Sequence, residues 1–231
     1  MTLTVSPRRV AWLLGGAVVA LVMASVAGQI SKHVFGHDRL LGFVRLFDLD
    51  AEANVPTWYA SVTLLLCAGL LGLIARAESE RGGRDATRWA VLALIFVGLS
   101  IDEAASIHEL AIKPLQTAWN TRGIFYFGWV IPGGVFALLV GVAYCRFLWR
   151  LPIRTRRRFV LAGALYVGGA LGFEMAGGYV AGFYGREQLV YVALATVEET
   201  LEMIGILVFL YALAAHLAEA ADVLHVRCAG R

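Results

Sequence analysis

The clearest pattern in the chain is an alternation between long apolar runs and short polar segments. An apolar run of roughly 20 residues can cross the hydrocarbon core of a bilayer as a helix. Six runs meet this requirement, at residues 10–28, 58–75, 89–108, 126–149, 159–182 and 189–217. The pattern predicts an all-α fold, a polytopic membrane bundle of about six transmembrane helices, with residues 1–231 forming a single integral membrane domain.

Composition and charge agree with this fold and give it an orientation. Hydrophobic residues make up 59% of the chain, and the mean hydropathy is +0.72. With the N-terminus placed in the cytoplasm, 14 of the 20 Lys and Arg residues fall in the inner segments. This bias predicts a multi-pass protein of the inner (cytoplasmic) membrane with both termini cytoplasmic. The basic run at residues 154–158 is then a topological anchor, so no nucleic-acid partner is predicted.

Acidic residues interrupt three of the apolar runs. The fifth run contains Glu174, and the last run contains Glu198, Glu199 and Glu202. The third run ends in a polar cluster that comprises Asp102, Glu103, His108 and Glu109. An ionised carboxylate in hydrocarbon costs several kcal/mol unless something compensates it. These acids therefore predict a functional site inside the bundle.

Counting residues along the helices places the acids at one depth. Asp102 and Glu174 lie about 21 Å from the inner ends of their helices, and Glu198 and Glu202 lie ~14–20 Å below the outer end of theirs. All of them then fall between the midplane and the outer surface. No Lys or Arg occupies that level in the six runs. Compensation can therefore come from protonation of the acids, from a bound metal or from a water-filled cavity.

A divalent metal explains this many carboxylates best, because acids that only hydrogen-bond helices together would exceed what packing requires. Oxygen ligands with an imidazole suit Fe, Mn or Zn, and the number of acids is compatible with two ions. The predicted metal ligands are Asp102, Glu103, His108, Glu109, Glu174, Glu198 and Glu202. His108 and Glu199 are also predicted to be catalytic.

Helical geometry limits how the polar cluster of the third run can be arranged. On a regular helix Asp102, Ser106 and Glu109 share one face, whereas His108 points about 120° away from Asp102. A regular helix cannot aim all of these side chains at one point. Some of them must therefore cap the helix end or face a neighbouring helix.

The fifth run is rich in glycine around Glu174. Gly168 and Gly172 form a GxxxG pattern, which allows the backbone of another helix to approach closely. A single acid among glycines is predicted to point into a crowded helix interface.

Two groups near the outer surface have roles that the sequence leaves open. His33 and His37 are spaced i, i+4, which can hold a metal on a helix, but Gly36 between them favours two exposed histidines on a loop. Glu52 and Asn54 either cap the second helix or reach the site below it.

The spacing of the acids resembles that of other proteins. It consists of DExxxxHE at residues 102–109, a single Glu at 174 and EExxE at 198–202. This combination resembles small, uncharacterised bacterial multi-pass membrane proteins, and the resemblance implies no function. The chemistry is similar to that of carboxylate-bridged di-iron bundles. The paired Glu-x-x-His motifs of those bundles are absent, because Ser106 and Glu202 stand where the histidines would be.

Three functions are compatible with an acidic site in the outer half of a bilayer. The favoured one is a metal-dependent membrane enzyme, an oxidoreductase or hydrolase, acting on a lipid or other hydrophobic small molecule. The second is a proton or divalent-cation transporter or channel. The third is a small assembly subunit of a larger membrane complex. The predicted protein partners are accordingly other copies of the chain or the other subunits of such a complex. A greasy side opening beside Glu174 would favour the enzyme, and a polar passage from Glu202 to the inner surface would favour transport.

Overall fold

The computed structural model of the chain describes residues 6–37 and 40–220, and every regular element in them is helical. This confirms the predicted all-α fold. The helices are α1 (Pro7–Phe35), α2 (Phe43–Phe47), α3 (Val55–Glu80), α4 (Ala86–Ala105), α5 (Ile107–Trp119), α6 (Val130–Arg150), α7 (Ile153–Val167), α8 (Glu174–Tyr184) and α9 (Leu189–Ala220). Short 3₁₀ turns lie at Leu40–Gly42 and Gly123–Phe125, and a π-helical segment at Gly168–Phe173 joins α7 to α8.

Five helical spans in the described residues are long and apolar enough to cross a membrane. They are α1, α3, α6, the continuous α7–α8 and α9. The bent pair of α4 and α5 makes a sixth if it counts as one span. The chain is thus a multi-pass helical bundle, as predicted. The identity of the membrane, the orientation of the termini and the single-domain organisation stay predictions.

Helix α1 extends the first apolar run in both directions. It begins with Pro7 in its first turn and ends at Phe35, where Gly36 adopts a left-handed conformation with φ +68°. That conformation suits glycine, which has no Cβ to clash. His33 therefore belongs to α1 and His37 lies beyond its end. The loop placement predicted for His33 is wrong, and the two histidines do not share a helix face.

The third apolar run is not the single helix that was predicted. Helix α4 ends at Ala105, Ser106 adopts a left-handed conformation (φ 52°, ψ 41°), and α5 departs at an angle of 77°. The Oδ1 atom of Asp102 accepts a hydrogen bond from the backbone N–H of His108 at 2.9 Å. Asp102 therefore caps the first turn of α5, which confirms that part of this cluster serves a helix end.

The fifth apolar run contains the π-helical segment where it packs against α9. Such segments occur frequently at functional sites. A Cβ atom on Gly169 would lie 2.8 Å from the carbonyl oxygen of Glu198, whereas Cβ atoms on Gly168 and Gly172 would meet nothing within 4 Å. The close approach predicted for Gly168 and Gly172 is therefore wrong. Gly169 makes the close approach to α9 instead, because the wider π-helical turn changes which side of the segment faces α9.

The tightest packing lies where α3, α4, α7 and α9 meet. Leu64 and Leu71 of α3 and Leu213 of α9 are fully buried there. The glycines of α7 to α9 support this packing, since a Cβ atom on Gly205 would lie 2.8 Å from the backbone nitrogen of Tyr166. This core fixes the helices that carry most of the acidic residues.

Helix α6 lies at the edge of this core, and a cavity separates much of it from α4. The two helices meet near Asp85, where the ring centroids of Trp89 and Phe147 are 4.8 Å apart. Arg150 also forms an ion pair with Asp85. Beyond these contacts, side chains of both helices line the cavity.

Candidate functional site

A cavity of about 390 Å³ lies inside the bundle, bordered by residues of every helix from α3 to α9. One end, which we call the carboxylate end, is acidic, and the other, which we call the apolar end, lies between α4, α6, α7 and α9. The acids of the carboxylate end are Asp50, Glu52, Asp102, Glu103, Glu109, Glu174, Glu198, Glu199 and Glu202. His108 lines the same end. The structure thus brings every residue of the predicted site to one cavity.

The break between α4 and α5 turns His108 back toward Asp102. The Nδ1 atom of His108 lies 3.0 Å from Oδ2 of Asp102, and its Nε2 atom lies 4.0 Å from Oε1 of Glu52. His108 therefore engages both carboxylate oxygens of Asp102, one through its backbone and one through its ring. A carboxylate beside Nδ1 orients the ring and leaves Nε2 available for proton transfer.

Glu174, the first residue of α8, lies between a tryptophan and a second acid. The indole N–H of Trp129 donates a hydrogen bond to Oε1 of Glu174 at 2.8 Å. The carboxyl groups of Glu174 and Glu198 are electrostatic neighbours inside the bundle. The Trp129 ring centroid is 5.0 Å from that of His108. Trp129 therefore connects two residues of the predicted site.

Glu199 and Glu202 lie deep in the bundle, and their electrostatic neighbours include Glu103 and Tyr166. Both side chains are only half-buried, because they border the cavity. In the described residues, no N–H or O–H donor forms a hydrogen bond with either carboxylate. The Glu199 and Glu202 oxygens are therefore available to accept hydrogen bonds from molecules that occupy the cavity.

The mouth of the carboxylate end combines the loop before α3 with the segment before α9. The Tyr191 hydroxyl donates a hydrogen bond to Oδ1 of Asp50 at 2.9 Å. The guanidinium of Arg186 lies 4.8 Å from the centroid of the Phe127 ring, a cation–π contact. Desolvation raises the pKa of the Asp50 carboxyl to about 6, although the hydrogen bond from Tyr191 opposes this. Asp50 therefore titrates closer to neutral pH than an ordinary aspartate.

Glu52 and Asn54, whose roles the sequence leaves open, have different roles in the structure. Asn54 caps α3 by accepting a hydrogen bond from the backbone N–H of Thr57 at 3.1 Å. Glu52 instead reaches the cavity, opposite His108. Burial raises the pKa of the Glu52 carboxyl, and the nearby His108 opposes this shift. The alternative in which Glu52 reaches the site below is thus confirmed.

Several lining residues were not found by sequence reasoning. They are Asp50, Trp129, Tyr166, Arg186 and Tyr191. The aromatic ones carry no distinctive signal, because tryptophan and tyrosine at helix ends are ordinary in membrane proteins. The alternating acids of residues 48–52 were the one available signal, and they point to Asp50 and Glu52 together.

The predicted metal site is not formed by the side chains as they are arranged. Within residues 6–37 and 40–220, no three His, Cys, Asp or Glu side chains make a group that could hold a metal ion. His108 is engaged by Asp102, Glu174 by Trp129, and Glu109 lies on an exposed part of α5. The metal-binding roles of these residues stay predictions.

The apolar end of the cavity is lined largely by aromatic and aliphatic side chains. The Phe96 and Phe209 rings stack there with centroids 4.7 Å apart. Phe136 of α6 lines the cavity and is 48% exposed. Helix α6, which packs loosely against the other helices, forms this wall of the cavity.

Comparison with known proteins gives a family but no activity. A family model described as a domain of unknown function (DUF8692) matches residues 11–217. No curated protein and no solved structure matches the chain. The predicted resemblance to uncharacterised proteins over most of the chain agrees with this match.

Proposed function

The chain belongs to the DUF8692 family of unknown function, and we propose that it is a membrane-embedded enzyme that acts on a lipid-like molecule. The observation that carries the proposal is one cavity with a carboxylate end and an apolar end. Binding cavities for small molecules are mostly apolar, with a few polar groups that orient the ligand. A molecule with one polar group and a hydrocarbon tail matches this division.

The position of helix α6 supports entry of the molecule from the side. Helix α6 meets α4 at the Asp85 end, whereas Phe136 and Gly141, farther from that end, line the cavity and are exposed residues. A hydrocarbon tail in the bilayer could therefore pass between α4 and α6 without crossing water. An apolar side opening was expected beside Glu174 for a lipid enzyme, and the proposed route on the α4–α6 side of the cavity would serve the same purpose.

The carboxylate end supports acid–base chemistry on the polar group of the bound molecule. Asp102 orients the His108 ring, and the Nε2 atom of His108 faces Glu52 across 4.0 Å. An imidazole in this position can take up a proton and release it again. Trp129 holds Glu174 on the other side. We propose His108 as the proton-transfer residue, with Glu199 as a second catalytic acid.

The divalent metal predicted from the sequence, Fe, Mn or Zn, is a separate part of the proposal. The described side chains do not form a site for it, so no chemical step here depends on a metal. Metal analysis of the purified protein beside Glu174→Ala and Glu202→Ala variants tests it. Near-stoichiometric metal in the wild type that is lost in both variants would support a metalloenzyme. Activity of metal-free protein would support acid–base catalysis without a metal.

Transport is less well supported by the lining of the cavity. Between Glu202 and the Asp85–Arg150 pair, the lining residues in the described part of the chain are uncharged, and most are apolar. A path for protons or divalent cations would need polar groups or water along this segment. The cavity is therefore better suited to holding a molecule than to conducting an ion.

The experiment that tests the proposal compares bound and converted lipids. The wild-type protein and the Gly141→Phe variant are purified from the same cells, and the extracted lipids are identified by mass spectrometry. Gly98→Phe is the matched control, because Gly98 also has open space around its Cβ position but does not line the cavity. We expect a defined lipid in the wild type and in Gly98→Phe, and little in Gly141→Phe.

Chemical conversion of lipids is then tested by incubating the wild-type protein with a total lipid extract. Mass spectrometry identifies lipids whose masses change during the incubation. His108→Ala should abolish the change, whereas His37→Ala should not, because His37 lies outside the cavity. If lipids bind but none is converted by the wild type, the protein is a binding protein, not an enzyme. If no lipid depends on the cavity, the proposal fails.

A further inference from the structure

We infer that the polar group of the molecule bound in this cavity is an ammonium group, so that the ligand is a long-chain amine or a quaternary ammonium lipid. The inference rests on the proposed lipid-binding function and narrows it to one class of ligand. It is carried by the charge of the cavity, by carboxylates that lack donors and by the aromatic rings beside them.

The charge of the lining favours a cationic group and opposes an anionic one. Nine carboxyl groups border the cavity, against one guanidinium, that of Arg186. Arg186 belongs to the mouth, where its charge lies over the Phe127 ring. A cationic group deeper in the cavity would compensate buried carboxylates, whereas an anionic group would add to their repulsion.

The deep carboxylates also need hydrogen-bond donors. Glu199 and Glu202 border the cavity and receive no hydrogen bond from an N–H or O–H group of the described residues. Because both side chains face the cavity, their donors must come from the molecules that occupy it. An ammonium group supplies both the positive charge and, when it carries hydrogens, the donors.

Aromatic rings line the same cavity as these acids. The Trp129 and Tyr166 side chains line the cavity together with Glu174 and Glu202, and Trp129 is fixed by its hydrogen bond to Glu174. Aromatic faces attract alkylated ammonium groups by cation–π interaction, and a tryptophan is the most effective. Carboxylates combined with aromatic rings therefore form a setting that recognises ammonium groups.

The tail of the ligand is accommodated by the apolar end. The cavity continues from Glu202 past Phe96 and Phe209 toward Phe147, which gives a hydrocarbon chain an apolar path away from the acids. One continuous ligand would thus place its charged group and its tail in the two ends of the same cavity.

The test compares three molecules that differ only in their polar group: dodecylamine, dodecanol and dodecanoate. The full-length protein is placed at pH 7 in nanodiscs of digalactosyl diacylglycerol, an uncharged lipid that carries no ammonium group, and binding of each labelled molecule is measured by equilibrium dialysis. Empty nanodiscs correct for partition into the lipid. We expect the amine to bind at least about tenfold more tightly than dodecanoate, with dodecanol between them.

Two double variants test whether Glu199 and Glu202 are responsible for the preference for the amine. Glu199→Gln with Glu202→Gln should reduce amine affinity at least about tenfold and leave dodecanol binding nearly unchanged, because the apolar end is intact. Glu78→Gln with Glu80→Gln is the control, since it removes the same charge from residues outside the cavity. Circular dichroism of each variant checks that the bundle is folded.

The outcomes separate the inference from the proposed function. If none of the three molecules binds above the level of empty nanodiscs, the proposed function fails together with the inference. If dodecanoate binds as tightly as the amine, with or without added Mn²⁺, the inference fails and lipid binding stands. If the amine preference survives in the Glu199→Gln, Glu202→Gln variant, the assignment of the ammonium group to these acids is wrong.

Discussion

The two ends of the cavity are built differently. The apolar end is made by regular stretches of α4, α6, α7 and α9, whereas the carboxylate end adjoins three interruptions of regular helix. These interruptions are the left-handed Ser106, the π-helical segment Gly168–Phe173 and the loop before α3. In a membrane protein, irregular backbone is tolerated where it lines a cavity. Irregular backbone thus brings Glu52 and His108 to the cavity, whereas Glu198, Glu199 and Glu202 reach it from the regular helix α9.

The largest disruption of the carboxylate end is expected from a substitution in the π-helical segment. A Cβ atom on Gly169 would meet the carbonyl oxygen of Glu198 at 2.8 Å, and fixed backbone cannot move aside easily. We expect Gly169→Ala to lower the free energy of unfolding by about 3 kcal/mol and to disturb the carboxylate end. Denaturant unfolding in detergent measures the change.

Gly172→Ala is the control for that variant, because the added Cβ meets nothing within 4 Å. It should be neutral or stabilising by about 0.5 kcal/mol, since alanine favours helix more than glycine does. Equal destabilisation by both substitutions would show that the contact with Glu198 does not matter.

A second test concerns the break between α4 and α5. Asp102→Ala removes the acceptor for the backbone N–H and the ring of His108, and we expect a loss of about 2 kcal/mol of stability. Asp102→Asn keeps an acceptor for the backbone N–H and should lose about half as much. Denaturant unfolding measures both changes. If the two contacts of Asp102 with His108 do not contribute to stability, both variants will have the same free energy of unfolding as the wild type.

A third test uses the pH dependence of Asp50. Its pKa of about 6 in the folded protein lies above its ordinary value of 3.8, so the folded state binds the proton more tightly. The contribution of Asp50 to the free energy of unfolding is therefore lost as the pH rises from about 4 to about 6.

Asp50→Asn should accordingly be more stable than the wild type by about 1 kcal/mol above pH 6. This figure is reduced because much of the Asp50 residue is still accessible to solvent, which screens the effect of desolvation. Thermal unfolding of both proteins at pH 4 and pH 7 measures this. The advantage of the variant should shrink at pH 4, and a constant difference would contradict the assignment.

The smallest effect is expected where α4 and α6 join at the apolar end. Asp85→Asn weakens the ion pair with Arg150, and such pairs near the surface contribute less than about 1 kcal/mol. Stability should hardly change, whereas exchange of bound lipid should become faster if α6 moves away from α4. Glu80→Gln, which breaks the exposed pair with Arg76, is the control and should leave the exchange rate unchanged.

Part of the candidate site could be predicted from the sequence. The depth of Asp102, Glu174 and Glu198 follows from their positions along apolar runs, since a helix rises by a constant amount per residue. That is why the predicted residues all border one cavity. The direction of His108 could not be predicted, because helical periodicity assumes the regular backbone that Ser106 interrupts.

The sequence by itself determined that this chain is an apolar helical bundle with acids at one level. Hydrocarbon length and the cost of buried charge depend only on composition and spacing. Only the tertiary structure decided that Trp129 meets Glu174, that Glu52 faces His108, and that α6 stands away from α4. These arrangements depend on how helices pack across long separations in the chain and on where the backbone departs from regular helix, which a local pattern of residues does not specify.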